Sequence, residues 1–331
     1  MALITVDQLS KTFTRAVRRQ GRFAALRTLL AREQQHIHAV EQVSFVIERG
    51  AMVGYLGPNG AGKSTTLKML TGILVPSGGS IIVDGRVPHR ERVAHVRGIG
   101  VVFGQRTQLW WDLPTIESFE LLRHIYGIPH DRFQQNLRAF SALLELEPFL
   151  ATPVRQLSLG QRMRADLAAA LLHDPRILFL DEPTIGLDVV AKERIREFLA
   201  EINRERGVTV ILTTHDLADI SRLCPRVVLI DKGRVLYDGA LAALQAHYGR
   251  WRTLVVDLAD DVGELAPLPA AELVRREGQR VWLRFDREAT TAAALIAHVV
   301  VHHAVRDLTV EEPDIEAVIR GIYEQGLHPA T

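Results

Sequence analysis

Cysteine is almost absent from this chain, in which Cys224 is the single example among 331 residues. One thiol cannot form an internal disulfide or a paired zinc motif, which excludes a small fold held together by crosslinks. We therefore expect a chain that is stabilised by its own hydrophobic core and resides in a reducing compartment.

Long hydrophobic runs are also missing. The most apolar segments, such as Ile177–Leu180, Val208–Leu212 and Val227–Ile230, are far shorter than the roughly 20 residues that cross a bilayer. Residues Met1–Leu9 have neither a basic start nor the continuous apolar stretch of a signal peptide. We expect no membrane-spanning segment and no export signal.

Neither sign of charge is in clear excess. The 40 lysines and arginines almost balance the 39 aspartates and glutamates, so the formal net charge is +1. Because this balance gives no support to nucleic acid as a partner, none is expected. What the chain does have is length and 47% hydrophobic residues, enough for one large domain and one small one.

Short β-branched segments alternate with helical patterns, which favours an α/β fold around a mostly parallel sheet. The strand candidates are Ile4–Val6, Val43–Ile47, Met52–Leu56, Ile99–Phe103, Ile177–Asp181, Val208–Thr213 and Val227–Asp231. Within 104–156 the alternation stops, and helices are predicted at Thr115–Tyr126 and Asp131–Leu146. We interpret about 104–165 as a helical subdomain inserted into a first domain of residues 1–240.

A second pattern begins after about Gly239. It predicts, in order, strand Thr253–Leu258, strand Arg280–Phe285, helix Ala289–Ala297, strand Val305–Val310 and helix Pro313–Glu324. The last helix has proline at its first position and acids in its first turn, as helix N-termini prefer. We interpret residues 241–331 as a separate small α/β domain.

The clearest chemical motif is a glycine-rich loop between the strand Val53–Leu56 and a predicted helix Thr65–Leu70. It satisfies G-x-x-x-x-G-K-[ST] and consists of Gly57, Pro58, Asn59, Gly60, Ala61, Gly62, Lys63, Ser64 and Thr65. Backbone N–H groups of such a loop surround phosphates, while the lysine and the helix N-terminus add positive charge. Ser64 is placed to bind Mg²⁺ beside those phosphates.

The apolar strand Ile177–Asp181 ends in two acids, Asp181 and Glu182. Such a strand end carries side chains to the phosphate edge of a parallel sheet. Asp181 is predicted to hold Mg²⁺ through water, and Glu182 to orient and partly deprotonate the attacking water in phosphoryl transfer. Together the two motifs predict a nucleoside triphosphatase. A GTPase is disfavoured, because no N-K-x-D motif occurs.

The segment Leu157–Gln161, of sequence LSLGQ, lies about twenty residues before the acidic strand end. It precedes a predicted helix at Arg162–Leu172, so the Ser158 hydroxyl, the Gly160 N–H and the helix N-terminus form a second anion site. Plain capping of the helix by Ser158 is the structural alternative. Combined with the other two motifs, this segment resembles the nucleotide-binding subunit of ATP-binding cassette (ABC) proteins.

The resemblance spans about residues 3 to 240 and implies a P-loop NTPase fold that binds ATP and Mg²⁺. It implies that Gln105 reaches Mg²⁺ and the attacking water, and that His215 contacts the γ-phosphate. Phe13 is then the aromatic residue that stacks on adenine. The predicted catalytic residues are Lys63, Gln105, Glu182 and His215, and the predicted Mg²⁺ ligands are Ser64, Gln105 and Asp181.

The resemblance also implies a dimer that holds two ATP molecules, formed with a second copy or with a homologous ATPase subunit. Each nucleotide lies between the phosphate loop of one chain and the second anion site of the other. The residues that act in trans are Ser158, Gly160, Gln161 and Asp188. Asp188 equally fits a helix N-cap, and both interpretations can hold together.

Two segments suggest contact with membranes or partners. The stretch Thr14–His38 carries six arginines against one acid, and is either a basic amphipathic helix at a membrane surface or a solvated insertion. Trp110 and Trp111 lie in the helical insert, where the family docks its membrane subunit; they suit a partner groove or core packing. His298, His302 and His303 are interpreted as solvated or packed rather than metal-binding, because no Cys or carboxylate stands at ligand spacing.

The sequence around Trp110 and Trp111, together with Arg155–Arg164 and Asp181–Asp188, is most similar to ATPase subunits of ABC-2-type bacterial exporters. That resemblance implies integral membrane permease subunits as partners and a position on the cytoplasmic side of the inner membrane, peripheral through those permeases. The alternatives are an importer ATPase and a soluble cassette protein that acts on ribosomes or DNA.

Overall fold

The computed structural model of the chain describes residues 2–16, 34–104, 106–248, 251–260, 265, 268, 270–311, 318–319 and 322–323. The chain divides into two compact units, Met1–Asp238 and Gly239–Thr331. Gln105 and most of the predicted helix Pro313–Glu324 lie outside the described residues.

The first unit contains alternating strands and helices. Its strands are β1 (Ala2–Ala16), β2 (Gln34–Glu48), β3 (Met52–Leu56), β4 (Gly78–Val83), β5 (Ile99–Phe103), β6 (Ile177–Asp181), β7 (Thr209–Thr213), β8 (Arg226–Asp231) and β9 (Arg234–Ala240). Its helices are α1 (Lys63–Leu70), α2 (Arg92–Val96), α3 (Thr115–Tyr126), α4 (His130–Leu144), α5 (Leu159–Leu171), α6 (Val189–Arg206) and α7 (Leu217–Leu223). No described helix combines the length and apolar character that a membrane crossing requires.

The central sheet has six strands in the order β5-β6-β7-β3-β8-β9. From β5 to β8, neighbouring strands pair in parallel. β3 and β7 are buried along their whole length, which explains why they are continuous apolar runs in the sequence. The carboxyl ends of these parallel strands share one edge of the sheet, and the predicted site residues follow those ends.

The first two predicted strands do not join the parallel sheet. They belong to a separate antiparallel sheet of order β2-β1-β4. They are also longer than predicted: Thr14–Ala16 and the segment 34–38, assigned to a basic insertion, pair with each other as strand. β-branched Thr12, Thr14 and Ile37 favour this extended conformation. The remaining part of the insertion, 17–33, lies outside the described residues.

Two helices of the first unit begin earlier than predicted. α3 matches its prediction residue for residue, whereas α1 begins at Lys63 rather than Thr65 and α5 begins at Leu159 rather than Arg162. In both cases the motif forms the first turn of the helix instead of preceding it. The sequence patterns did not indicate α2, α7, β4 or β9, and they indicated α6 only through Asp188 as a candidate N-cap.

The second unit begins with α8 (Leu241–Tyr248) and contains an antiparallel sheet of order β11-β12-β10-β13. Its other elements are β10 (Trp251–Leu258), β11 (Ala271–Glu277), β12 (Arg280–Asp286), α9 (Ala292–His302) and β13 (Val305–Glu311). The α9 residues Leu295 and Val299 pack on a core of Leu254, Val256, Leu283 and Phe285.

Two predictions for the second unit are wrong in detail. β11 was missed because its sequence, AELVRRE, is mostly charged and mostly exposed, as an edge strand can be. The predicted helix Ala289–Ala297 starts later, because the Thr291 side chain caps it by accepting a hydrogen bond from the Ala294 N–H. It also extends further than predicted, to His302. Of the last predicted helix, the described Val318, Ile319 and Ile322 are buried.

Candidate nucleotide site

The phosphate loop connects β3 to α1 and is held against β2. Gly62 has φ 105°, and a Cβ added there would lie 2.4 Å from the Ala39 carbonyl oxygen. A residue with a side chain at this position would therefore be strained in its backbone and would collide with β2. The tight turn directs the N-terminus of α1 into the loop.

Lys63 lies at the first position of α1 and is buried, with 8% of its surface exposed. Its Nζ donates hydrogen bonds to the carbonyl oxygens of Gly57 at 2.6 Å and Pro58 at 3.2 Å. Burial lowers the pKa of Lys63, while the charges of Glu182 and Asp181 oppose that shift. The ammonium group is thus held inside the loop, where phosphate oxygens would replace the carbonyl partners.

Asp181 and Ser64 meet at the carboxyl edge of the sheet. Asp181 Oδ1 accepts a hydrogen bond from Ser64 Oγ at 3.2 Å and one from Thr213 Oγ1 at 2.5 Å. A hydroxyl and a carboxylate are hard oxygen ligands, the kind that Mg²⁺ prefers next to phosphates. They border a cavity of ≈ 380 Å³ whose lining includes Ser64, Phe103, Gly104, Arg106, Asp181 and Glu182.

Glu182 has a left-handed backbone conformation, with φ 56°. This conformation is rare for a residue with a side chain and occurs mainly where the surroundings impose it. Here the Glu182 N–H donates to the Thr213 carbonyl oxygen at 2.9 Å. A Cβ added to Gly104 would lie 2.1 Å from the Glu182 carbonyl oxygen, so only glycine fits beside it.

His215 follows β7 and contacts the Glu182 carboxylate. Its Nδ1 lies 2.7 Å from Glu182 Oε2, and its backbone N–H donates to the same oxygen at 3.3 Å. Since an ionised carboxylate only accepts hydrogen bonds, Nδ1 carries the proton of this pair. The contact fixes the carboxylate and leaves the Nε2 side of the ring directed away from Glu182.

A buried aspartate behind His215 was not found from the sequence. Asp219, at 0% exposure on α7, accepts hydrogen bonds from Arg196 Nε at 2.6 Å, Thr184 Oγ1 at 2.5 Å and Thr214 Oγ1 at 3.3 Å. It therefore joins the loop after β6, helix α6 and the end of β7. The sequence feature that could have indicated it is an acid four residues after His215, in the first turn of α7.

The predicted second anion site lies at the N-terminus of α5. Ser158 caps the helix: its Oγ accepts from the Gln161 N–H at 3.2 Å, and its own N–H donates to Gln161 Oε1 at 2.9 Å. The capping alternative is therefore correct. It does not exclude anion binding, because a hydroxyl that accepts one hydrogen bond still has a proton to donate.

The loop before α6 packs against the second anion site of the same chain. A Cβ on Gly160 would contact Ala191 at 3.5 Å, and one on Gly186 would lie 3.0 Å from Leu159 Cδ2. Asp188 caps α6 by accepting a hydrogen bond from the Ala191 N–H at 2.8 Å. Within the described part of the chain, no hydrogen bond joins Ser158 or Gln161 to the phosphate loop.

Phe13 lies on β1 with 39% of its surface exposed, and is paired in register with Ile37 on β2. Two residues further along β2, Ala39 is the residue whose carbonyl oxygen lies against Gly62. The aromatic ring is thus exposed on a strand pair that leads directly to the phosphate loop. Lys11 Nζ lies 5.3 Å from the centre of the Phe13 ring.

The two tryptophans of the helical insert are exposed by 38% for Trp110 and 49% for Trp111, so neither is hidden in the core. The Arg162 guanidinium lies 5.3 Å from the Trp111 ring centre, and both residues line a groove of ≈ 330 Å³.

Elsewhere, the ring centres of His298 and His302 lie 4.3 Å apart. Among the described residues, no group of three or more His, Cys, Asp or Glu is arranged to hold a metal.

A phosphate loop after β3, an acid pair at the end of β6 in the same sheet and LSLGQ at the start of α5 define the class of this protein. It is a P-loop NTPase of the ATP-binding cassette type.

Comparison with known proteins gives the family. A family model described as "ABC transporter" matches residues 40–185. The chain is 36% identical over 208 residues to the ABC transporter ATP-binding protein NatA of Bacillus subtilis (strain 168), covering 63% of this chain and 84% of NatA. The chain therefore belongs to the ABC transporter ATP-binding proteins, which are ATPases coupled to transport.

Other relatives are named for transport in both directions. The chain is 34% identical over 276 residues to Nod factor export ATP-binding protein I of Ralstonia nicotianae, covering 81% of this chain and 83% of the relative. It is 32% identical over 272 residues to methionine import ATP-binding protein MetN of Latilactobacillus sakei, covering 78% of each. These names do not distinguish export from import.

A solved structure supports the fold assignment. It is a dimeric ATP-binding cassette in a post-hydrolysis state, bound to ADP and Pi, with a TM-score of 0.60 and 27% sequence identity. The match covers 72% of this chain and 98% of that one. The prediction of a P-loop NTPase fold of the cassette type is confirmed.

Proposed function

We propose that this chain is the ATPase subunit of an ABC exporter and hydrolyses ATP at two sites shared between two subunits. One observation carries the proposal: Lys63, Ser64, Asp181, Glu182 and His215 meet at one sheet edge, linked by the contacts given above. The anion site at Ser158 belongs to another part of the same chain. That separation is what a site completed by a second subunit requires.

Within each site, the phosphate loop binds the β- and γ-phosphates through its N–H groups and Lys63. Ser64 and, through water, Asp181 are the proposed Mg²⁺ ligands, and the predicted third ligand is Gln105. When bound, Mg²⁺ neutralises charge on the β- and γ-phosphates. Glu182 orients the attacking water and accepts its proton, while His215 holds the Glu182 carboxylate in place and contacts the γ-phosphate.

Asp219 is proposed as a positioning residue, because it is fully buried and its hydrogen bonds are made to protein groups. It holds Thr214, which directly precedes His215, and Thr184, which lies two residues after Glu182. Through these two hydroxyls it fixes the backbone on both sides of the Glu182–His215 pair. Loss of this contact would displace the catalytic groups without removing them.

The dimer proposal is supported by the exposed surface beside Ser158. Val189 and Val190, which follow Asp188 directly, are 80% and 67% exposed. Two apolar side chains next to a helix N-terminus suit a protein interface better than they suit solvent. We propose that this surface meets the phosphate loop of the second subunit, with Ser158, Gly160 and Gln161 binding the γ-phosphate in trans and Phe13 stacking on adenine.

The permease partner is proposed to dock at the helical insert, where Trp110, Trp111 and the adjoining groove present exposed aromatic surface. Such docking would place the chain on the cytoplasmic side of the inner membrane. The residues around the tryptophans favour an exporter, and the export-named relatives agree with that choice. The importer alternative retains the support of the import-named relative.

In domain terms, we propose that residues 1–240 are the cassette, with a helical subdomain at about 104–165, and that 241–331 are an accessory domain. The division of the chain after Asp238 supports this boundary.

The catalytic assignment is tested by Glu182→Gln. General-base catalysis contributes about 10²- to 10⁴-fold, so phosphate release should fall by at least about a hundredfold while ATP binding persists. The variant should also form an ATP-dependent dimer on size-exclusion chromatography. Glu193→Gln is the control, since this carboxylate lies on α6 and takes no part in the proposed chemistry. Normal turnover by Glu182→Gln would remove Glu182 from its role.

Coupling to a permease is tested by purifying the chain from a membrane extract and identifying what accompanies it. The proposal expects an integral membrane protein, and expects Trp110→Ala with Trp111→Ala to lose it while intrinsic ATPase activity remains. Recovery of ribosomes or DNA instead would favour the soluble cassette alternative. An exporter and an importer are then separated by the direction of transport in reconstituted vesicles.

A further inference from the structure

A cavity lined by arginines lies at the opposite edge of the central sheet from the nucleotide site. Its volume is ≈ 460 Å³, within the range of small-molecule sites. Arg49 precedes β3, Arg176 precedes β6, and Arg206 ends the helix before β7. Because β3, β6 and β7 each have five residues at about 3.3 Å per residue, this cavity is roughly 15 Å from the phosphate loop.

The lining of this arginine cavity is strongly positive in a chain that is nearly neutral overall. It contains four arginines, Arg49, Arg132, Arg176 and Arg206, and one acid, Asp174, which gives a formal charge of +3. Local excess charge of this size around a concave surface raises the local concentration of anions.

The positive charges are held close to each other by two carboxylates. Asp174 accepts two hydrogen bonds from Arg132, at 2.6 and 2.9 Å, and one from Arg206 at 3.2 Å. Asp84, outside the lining, pairs with Arg176 at 2.8 Å and with Arg49 at 3.7 Å. Each carboxylate therefore serves two lining arginines, so the four guanidiniums carry charge that these two acids do not balance.

The electrostatics of Arg206 agree with this geometry. Burial lowers the pKa of Arg206, Asp174 partly opposes the shift, and the charge of Arg132 lowers it further. The ring of Phe140 lies 4.7 Å from the guanidinium and holds it in place.

We propose that the arginine cavity is a further anion site, separate from both the ATP site and the anion site at Ser158, and that it binds a small phosphate compound carrying two or more negative charges. Guanidiniums match phosphate oxygens with paired hydrogen bonds, which is why arginine is favoured for phosphate recognition. The excess positive charge, +3 for the lining and +2 when Asp84 is counted with it, favours multiply charged anions over single carboxylates. Asp174 lowers the affinity for the anion, because it competes with the ligand for Arg132 and Arg206.

The test is calorimetric titration of pyrophosphate, without Mg²⁺, into the full-length Lys63→Ala chain, whose phosphate loop lacks its lysine. In this background Arg49→Gln with Arg176→Gln should weaken binding at least about tenfold, since each removes a charge-assisted hydrogen bond. Both side chains are about 60% exposed, at 61% and 60%, so the fold should tolerate the change. Arg155→Gln, which removes an exposed arginine paired with Asp112 outside the cavity, is the matched control and should have no effect.

Asp174→Asn should strengthen pyrophosphate binding, whereas the arginine substitutions should weaken it. Asp174 has φ 54°, a conformation that asparagine adopts readily, so the backbone should be unchanged. Removing the competing charge should tighten pyrophosphate binding several-fold. The proposal is overturned if the Lys63→Ala chain does not bind pyrophosphate at millimolar concentration, if the double arginine variant binds equally well, or if Asp174→Asn weakens binding.

Discussion

At the scale of single residues, Gly62 and Gly60 both have positive φ but differ in their surroundings. A Cβ at Gly62 would lie 2.4 Å from the Ala39 carbonyl oxygen, whereas one at Gly60 would meet nothing within 4 Å. A side chain at Gly60 would therefore cause backbone strain alone, whereas one at Gly62 would cause both strain and a collision. They form a matched pair for testing why the phosphate loop is shaped as it is.

We predict that Gly62→Ala lowers the free energy of unfolding by about 2 kcal/mol or more and weakens ATP binding at least about tenfold, because β2 must move. Gly60→Ala should cost about 1 kcal/mol, from backbone strain alone. Urea unfolding and titration with a non-hydrolysable ATP analogue measure both effects. Equal losses in the two variants would show that the contact with Ala39 is unimportant.

The positioning role of Asp219 is also a residue-scale prediction. Asp219→Asn leaves Arg196, which is 8% exposed, without its buried ionic partner, and should destabilise the chain by about 3 kcal/mol. It should also lower kcat more than it raises KM, because Glu182 and His215 lose their support. Glu193→Gln is the control: Glu193 contacts the same arginine at 3.3 Å but is 40% exposed, so it should cost under about 1 kcal/mol. An Asp219→Asn enzyme with normal kcat would confine Asp219 to stability.

The contrast between Asp219 and the motif residues shows what sequence can reveal at this scale. Lys63 with Ser64, and Asp181 with Glu182, are adjacent in the chain, so a local pattern contains both their identities and their geometry. Asp219 acts through Thr184, 35 residues away, and Arg196, 23 residues away. No local pattern encodes such a contact, since it exists only after the helices have packed.

At the scale of elements, Asp166 ties α5 to the segment that follows β5, at Thr107 and Gln108. This carboxylate is 4% exposed, and its Oδ1 accepts from Thr107 Oγ1 at 2.9 Å and the Gln108 N–H at 3.0 Å. Burial raises the pKa of Asp166 to about 6, although these hydrogen bonds and Arg162 oppose the shift. The segment after the predicted ligand Gln105 is thus tied to the helix that begins with LSLGQ.

This raised pKa predicts a pH dependence of stability. Between the unfolded value of 3.8 and about 6, the folded chain binds the proton more tightly, so this contribution to stability is complete at low pH and is lost as pH rises through 6. Asp166→Asn keeps both hydrogen bonds through its amide oxygen and should remove that slope. At pH 8 it should be more stable than the native chain by on the order of 2 kcal/mol. Identical pH profiles of urea unfolding would contradict the prediction.

The elements that sequence predicted well are those with one clear periodicity. β3, β6 and α3 have the bounds that were predicted for them, because continuous apolar runs and a regular helical pattern leave little choice. β11 was missed since an exposed edge strand needs few apolar residues. β1 and β2 were predicted too short, because their pairing continues as far as Ala16 and Gln34 through an arginine-rich segment whose composition does not indicate strands.

At the scale of the whole molecule, the central observation is that, among the described residues, neither Ser158 nor Gln161 is hydrogen-bonded to the phosphate loop of its own chain. In the proposed function, the chain supplies one set of phosphate-binding and water-activating groups and one separate anion site. If the anion site serves the second subunit, then a defect in either part should be correctable by a partner that carries the opposite defect. A site contained in one chain would not allow such rescue.

Mixing Lys63→Ala chains with Ser158→Arg chains tests this most directly. Each variant alone should show almost no ATP hydrolysis, because both sites of its dimer contain a defect. Random pairing makes about half of the dimers mixed, each with one intact site of two, so the mixture should recover about a quarter of native activity. A mixture as inactive as its components, in which mixed dimers have been demonstrated, would contradict the shared-site account.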